Sequence, residues 1–255
     1  MSICVVHRAI EGIGEIRPGI DLSDEIAAAL RAAQFVPQPA DVLVIAQKIV
    51  SKAEGRFVDL FDVVPSVRAT ELAGITGKDA RYIEVVLSES EEVVRAAPNV
   101  LIVRHRLGFV AANAGIDRSN LEPTEGKELV LLLPSNPDAS ALQLSTRISA
   151  EFGAPVGVII SDSFGRPWRN GVVNIALGVS GLPALIDRRG EPDRFGKTLE
   201  ATQIGYADAI AAGAALVMGE AAEGTPVVLV RGLRSGAPHG DGQSLLRASR
   251  EDLFR

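Results

Sequence analysis

Three acidic residues stand beside glycines at loop-like positions that follow apolar runs or helical segments: Asp117 in AANAGIDRSN, Asp162 in IISDSFG and Glu220 in MGEAAEG. Carboxylates so placed are hard oxygen ligands, the type that holds magnesium or manganese together with nucleotide phosphates. Each aspartate taken singly reads more simply as a turn or cap residue, and the sequence does not show that the three converge. Asp162 opens the densest stretch. GVIISDSFGRPWRNG delivers this carboxylate, the Ser163 hydroxyl, Arg166, Arg169 and the chain's only tryptophan, Trp168, within eight residues. Arginine forks grip carboxylates and phosphates at two points, so Asp162, Arg166 and Arg169 are the candidate catalytic residues. The plainer alternative pairs the arginines with surface acids and packs Trp168 at a core edge.

Glycine turns are the second chemical feature. EGIGEI at 11–16 and GEAAEGT at 219–225 can bring backbone N–H groups close to phosphates, although most glycine turns are only turns. Lys52, in QKIVSKAEG, could meet a phosphate as a compact point charge; the competing reading is a solvated loop lysine. RRGEPDRFGKT at 189–198 is a decoy. It ends in Gly196-Lys197-Thr198, but a P-loop needs four residues between its glycines, and five separate Gly190 from Gly196. His7, His105 and His239 share no close-spaced ligand motif, and no G-x-S-x-G elbow occurs. Zinc hydrolysis and triad chemistry therefore rank low.

The elements that must position these groups can be read coarsely. Short β-branched runs predict strands at Val42–Ala46, Val100–Val103, Leu129–Leu133, Val156–Ile160 and Val227–Val230. Several are apolar throughout, as expected for strands covered on both faces. Ser23 and Asp24 can cap a helix reaching about Ala33. An apolar face at Ile83, Val86, Leu87, Ser90, Val93, Val94 and Ala97 predicts one helix over 78–97, with SESEE on its solvated side. Further helices are expected from near Asp138 and from about Thr202 to Met218, the latter capped by Gly219. The irregular alternation favours an α+β arrangement of mixed sheets with packed helices over a doubly wound fold. The chain reads as one unit over 1–255, with two interleaved lobes left open and no readable border. A polar tail from about 234 to 255 is expected to be partly loose.

The 255 residues are 47% hydrophobic, 23% charged and only 4% aromatic, so Val, Ile, Leu and Ala must build the core. A net charge of −6 argues against broad nucleic-acid binding. The lone Cys4 excludes an intramolecular disulfide and a thiolate cluster. The N-terminus lacks the continuous apolar core of a signal peptide, and no run approaches the roughly 20 residues that span a bilayer. A cytoplasmic protein without membrane association is the expectation.

Taken in order, IEGIGEIRPGIDL, DVLVIAQKIVSKAEGR, NAGIDRSN, IISDSFGRPWRNG, GLPALIDRRGEPDRFGKTLEATQIGYADAIAAGAALVMGE and TPVVLVRG closely resemble the coenzyme F420:L-glutamate ligase family, the gamma-glutamyl ligases of F420 biosynthesis. The resemblance runs from about residue 10 to 233. It implies that family's fold, which is neither a P-loop nor a Rossmann fold, in a homodimer. It also implies a GTP-dependent amide ligase whose partners are the F420 precursor, L-glutamate and GTP, with successive γ-linked additions. The cofactors implied are Mg2+ or Mn2+, two ions, and K+.

Carried over by position, Asp117, Asp162, Ser163 and Glu220 fall on the divalent-metal ligands. Ile13, Gly14, Glu15, Ile16, Lys52 and Asn120 fall on the GTP contacts. So do Met218, Gly219, Glu220, Ala221, Ala222, Glu223, Gly224 and Thr225. Gln47-Lys48 stand where some members carry small hydroxyl residues, and Ser163 stands in for a threonine. Ala221-Ala222 replace a glycine pair, and the nitroreductase-like domain of some bacterial relatives is not expected here. Two rival readings stay open: an amide ligase for another carboxylate or amine, and a nucleotide-binding protein without chemistry.

Overall fold

The computed structural model describes residues 4–252. In chain order its elements are β1 (Val6–Ala9), α1 (Leu22–Ala32), β2 (Val42–Ala46), α2 (Gln47–Ala53), β3 (Phe57–Asp59), α3 (Val67–Thr76), α4 (Ala80–Ser88), β4 (Ser90–Ala97) and β5 (Val100–His105). Then come β6 (Val110–Ala112), β7 (Leu129–Leu131), α5 (Pro137–Phe152), β8 (Gly157–Arg166), β9 (Arg169–Ser180), β10 (Leu185–Asp187), β11 (Gln203–Gly205), α6 (Tyr206–Met218) and β12 (Val227–Arg231). This is the mixed α+β architecture that the sequence pattern implies.

The most apolar runs form one five-stranded sheet in the order β1-β12-β2-β8-β9. Only β2 and β8 run parallel; the other pairings are antiparallel. Leu43, Ile45, Val158, Ile160 and Leu229 face α1, α2 and α5. Val44, Ile159, Val228 and Val230 face α6. Both faces are covered, which is why β2 and β12 do not alternate apolar with polar residues.

A second core draws its members from Val58 to Leu132, where α3 and α4 pack on the β4-β5-β6 sheet and the β3–β7 pair. Ala111, Leu133, Phe164 and Leu177 join it to the β8–β9 ribbon. A polar knot reinforces the junction. The Glu89 carboxylate accepts from Arg56 Nη2 at 2.9 Å and Arg106 Nε at 3.0 Å, with the buried His105 Nε2 3.5 Å away. Burial alone would raise this carboxyl, but His105, Arg56 and Arg106 hold it down at about 2.

The expected helix over 78–97 is half right. α4 starts after Asp79, whose side chain accepts from Arg81 N, and ends at Ser88. Residues 90–97 instead form β4, antiparallel to β5. The spacing of Val93, Val94 and Ala97 is helical, but pairing with β5, with a register shift between Val93 and Arg95, makes the segment a strand. Asn99, at φ 64°, closes the hairpin. The last helix starts four residues later than expected, because Gln203–Gly205 pairs with β10. At α1 the cap is Asp21, which accepts from Ser23 N and Asp24 N.

The strand expected to stop near Ile160 runs on to Arg166. Part of the expected tail is tied to the body of the fold. Gly242 N donates to Asp138 Oδ1 at 2.7 Å, Gly240 N to Leu182 O at 3.1 Å, and Leu233 and Leu245 pack on the α6 core. Residues 253–255 of that expected tail lie outside the described residues. No described helix is long and apolar enough to cross a membrane.

Candidate active site

The parallel pair β2–β8 brings Ala46, the last residue of β2, opposite Ser161 midway along β8, and both line one crevice. Crevices outside the carboxyl ends of parallel strands are where open α/β sheets bind ligands. β2 passes directly into α2, which places Gln47, Lys48 and Lys52 along one wall. Lys52 is not a solvated loop residue. Its side chain is 7% exposed, and its Nζ pairs with a Glu15 carboxylate oxygen. Gln47 Nε2 donates to Asp117 Oδ2 at 2.8 Å, and Lys48 Nζ lies 3.5 Å from Asp117 Oδ1 and 3.1 Å from Ser119 Oγ. Asp117 itself is fixed by backbone pairing with Leu131.

The opposite wall is the loop after α6. Gly219, at φ 76°, turns the chain, and a Cβ there would come within 2.3 Å of Glu223 Cδ. Glu223 Oε2 accepts from Ala221 N at 2.8 Å, Thr225 Oγ1 donates to Met218 O at 2.8 Å, and Asn120 Nδ2 donates to Ala221 O at 3.0 Å. The N–H from Ala221 is the main cause that keeps the Glu223 carboxyl below its usual range. The loop is thus shaped by its own side chains and by Asn120.

Asp162 does not end a strand but lies within β8. Successive strand residues point to opposite faces. Ser163 sits opposite Asn174, two residues before Ala176 of the α6 core, whereas Asp162 sits opposite Ile175, on the side of Phe164. Burial pushes the Asp162 carboxyl up to about 7, and the negative charges of Asp117 and Glu220 push the same way. Burial also raises Asp117, against the pull of Lys48 and Gln47. Like charges gathered in a buried site favour binding a cation.

Gln47, Lys48, Asp117, Ser119, Asp162, Ser163 and Asn174, with Ile13 to Ile16, Lys52, Asn120 and the 218–225 loop, line one cavity of about 530 Å³. Arg166 and Arg169 do not. They line a neighbouring cavity of about 830 Å³ with Trp168, Arg95 and Arg104, and Asp162 and Ser163 belong to the walls of both. Arg166 Nη2 donates to Asn170 O at 3.2 Å, while its Nη1 is buried without a partner.

The family model described as F420-0:Gamma-glutamyl ligase matches residues 12–232. The chain belongs to this family. Coenzyme F420:L-glutamate ligase of Methanocaldococcus jannaschii is 43% identical over 248 residues, covering 97% of this chain and 98% of the relative. The protein of that name from Methanopyrus kandleri is 44% identical over 245 residues, covering 94% of both. The one from Archaeoglobus fulgidus is 44% identical over 246 residues, covering 96% of this chain and 94% of the relative.

For a gamma-glutamyl ligase family member, the question is whether these side chains suit a divalent ion. Among the described residues, no three His, Cys, Asp or Glu side chains form a ready-made ion cage. The donors instead mix carboxylate, hydroxyl and amide oxygens across both faces of the β8–β9 ribbon, and the like charges of Asp117 and Glu220 act on the buried Asp162. That set suits a hard cation. Sequence reasoning passed over Lys48 as a site residue, and over Ser119, Ser161 and Asn174. Only Asn174, a polar residue inside the apolar run VVNIALG, left a trace in the sequence.

Proposed function

We propose that this gamma-glutamyl ligase family member joins L-glutamate to the lactyl carboxylate of the F420 precursor at the expense of GTP. It then adds further glutamates through γ-linkages. The supporting observation is the pair of adjoining cavities. One carries residues of nucleotide-and-metal type, the other carries arginines, and Asp162 and Ser163 form the wall of both. A phosphoryl group and an acceptor carboxylate held on the two sides of one residue pair need little further positioning, and positioning is a large part of such a barrier.

Asp117 and Asp162 would hold one magnesium or manganese ion, and Ser163 with Glu220 a second, on the opposite face. Bound there, such ions supply Lewis-acid polarisation of phosphoryl oxygens. Lys52, released from Glu15, neutralises β- and γ-phosphate charge, and the backbone of 13–16 and 219–225 cradles the nucleotide. Arg166 and Arg169 grip the anionic acceptor. Its carboxylate oxygen attacks the γ-phosphorus as the bond to the β-phosphate oxygen breaks, which yields an acyl-phosphate and GDP. The glutamate amine then attacks the acyl carbon; phosphate leaves and the nitrogen loses its proton. Potassium as an activating ion and a homodimer complete the reading.

The test is product mass after mixing the protein with the glutamate-free precursor, L-glutamate, GTP and manganese. Added glutamyl masses, with GDP released only when both substrates are present, are expected. GDP without glutamylated product would point to another carboxylate or amine. Silence in both, from folded protein, would refute the ligase reading. Replacing GTP by ATP tests the base preference, and light scattering tests the dimer.

A further inference from the structure

We infer that Asn174 and Ser161 are further oxygen donors to the cation that Ser163 and Glu220 hold; the inference rests on the divalent-ion reading above and adds two residues to it. Asn174 is 4% exposed and Ser161 1%, yet Asn174 Oδ1 and Ser161 Oγ have no hydrogen-bond partner. Buried polar groups are nearly always paired, and each exception calls for a ligand, an ion or a water. Both residues line the proposed nucleotide cavity.

Strand register gathers them. Ser161 lies opposite Ala176 and Ser163 opposite Asn174, and Ala176 belongs to the α6 core. Directly opposed residues share a face, as do residues two apart. Ser161, Ser163 and Asn174 therefore form one polar patch on the α6 side of the ribbon. The amide nitrogen of Asn174 rests 4.0 Å from Met218 Sδ, which leaves its oxygen turned elsewhere.

The surroundings decide the sign of the ligand. Met218 is the last residue of α6, so the patch sits beside the negative end of a helix dipole. Glu220 follows two residues later and lines the same cavity, as do Asp117 and Asp162. A phosphate oxygen is repelled from such a corner. A hard cation, which takes hydroxyl, amide-carbonyl and carboxylate oxygens together, is favoured. The patch also lies across the ribbon from Asp162, so it serves an ion distinct from the one between Asp117 and Asp162.

The experiment measures manganese binding directly, by the spin-resonance signal of free Mn2+, in wild type, Asn174→Ala, Ser161→Ala and Asn174→Asp. Melting temperatures in chelator are recorded beside it. Asn174→Ala is expected to weaken one manganese site about 10–100-fold. Its ion-free melting temperature should be unchanged or higher, because an unpaired buried amide has been removed. Ser161→Ala should act the same way more weakly, and Asn174→Asp, which keeps an oxygen in place, should restore binding. A purely structural amide would behave in the opposite way: Asn174→Ala would melt lower in chelator and bind manganese as wild type does, and that result overturns the inference. Should wild type itself bind no manganese, with or without GTP, the metal reading fails and this inference with it. Wild-type binding unaltered in all three variants refutes the inference alone.

Discussion

Replacing Asp162 by Asn should make the ion-free protein more stable at neutral and higher pH while abolishing ligation. The carboxyl is displaced from an ordinary 3.8 to about 7, first by burial and then by the charges of Asp117 and Glu220. At about 1.4 kcal/mol per unit, ionising it in the fold at pH 8 costs at most roughly 4 kcal/mol relative to the unfolded chain. The side chain keeps some contact with water, which screens the repulsion and brings the expected gain to about 1–3 kcal/mol. A group whose folded pKa is raised favours the fold below its unfolded pKa. That advantage is lost as pH climbs through about 7. The stability difference between variant and wild type should therefore be small at pH 4, open between pH 4 and 7, and level off above. Denaturant unfolding in chelator across that range measures it. A variant less stable than wild type at pH 8, or a difference that does not change with pH, would refute the electrostatic reasoning. Manganese should shrink the gap, since a bound cation relieves the same repulsion in wild type.

Lys52→Met keeps the buried stem but removes the charge, and kcat/KM for the nucleotide should fall on the order of 100-fold with little change in melting temperature. Gly219→Ala puts a Cβ within 2.3 Å of Glu223 Cδ at a φ of 76°. Steady-state kinetics should then show the nucleotide KM raised roughly tenfold, through displacement of the 219–225 loop. Arg166→Ala should raise the KM for the deazaflavin acceptor about tenfold and leave that for GTP unchanged; the reverse pattern would move Arg166 to the nucleotide side. Glu89→Gln breaks the knot with Arg56, Arg106 and His105, and chemical denaturation at pH 7 should show a loss of about 2 kcal/mol. Because the folded pKa of Glu89 is depressed to about 2, its contribution is present above the ordinary carboxylate range. It disappears as pH falls through about 2.

Sequence motifs such as NAGID, SDSFGR and MGE identified the acidic and hydroxyl groups because their chemistry is carried by residue type. Apolar runs located β2, β12 and the start of β8 for the same reason: a strand covered on both faces needs an unbroken hydrophobic segment. Pattern failed where pairing overrides it. Val93, Val94 and Ala97 have helical spacing, and pairing with β5, with a register shift between Val93 and Arg95, makes them a strand. It failed again for β8, where Asp162 and Ser163 look like the end of a strand. The ribbon continues because β9, further along the chain, supplies its hydrogen bonds.

By itself the sequence determined the family, the α+β class, the candidate carboxylates Asp117, Asp162 and Glu220 and the absence of a P-loop, all of which follow from local composition and spacing. Tertiary structure alone decided that those donors meet. It set Gln47 and Lys48 on Asp117, buried Lys52 against Glu15, and moved Arg166 and Arg169 into a cavity of their own. It also turned Asp162 and Ser163 to opposite faces and left Asn174 and Ser161 unpaired beneath α6. Such facts depend on strand register and on contacts between residues far apart in the chain, and neither local pattern nor composition encodes a distance.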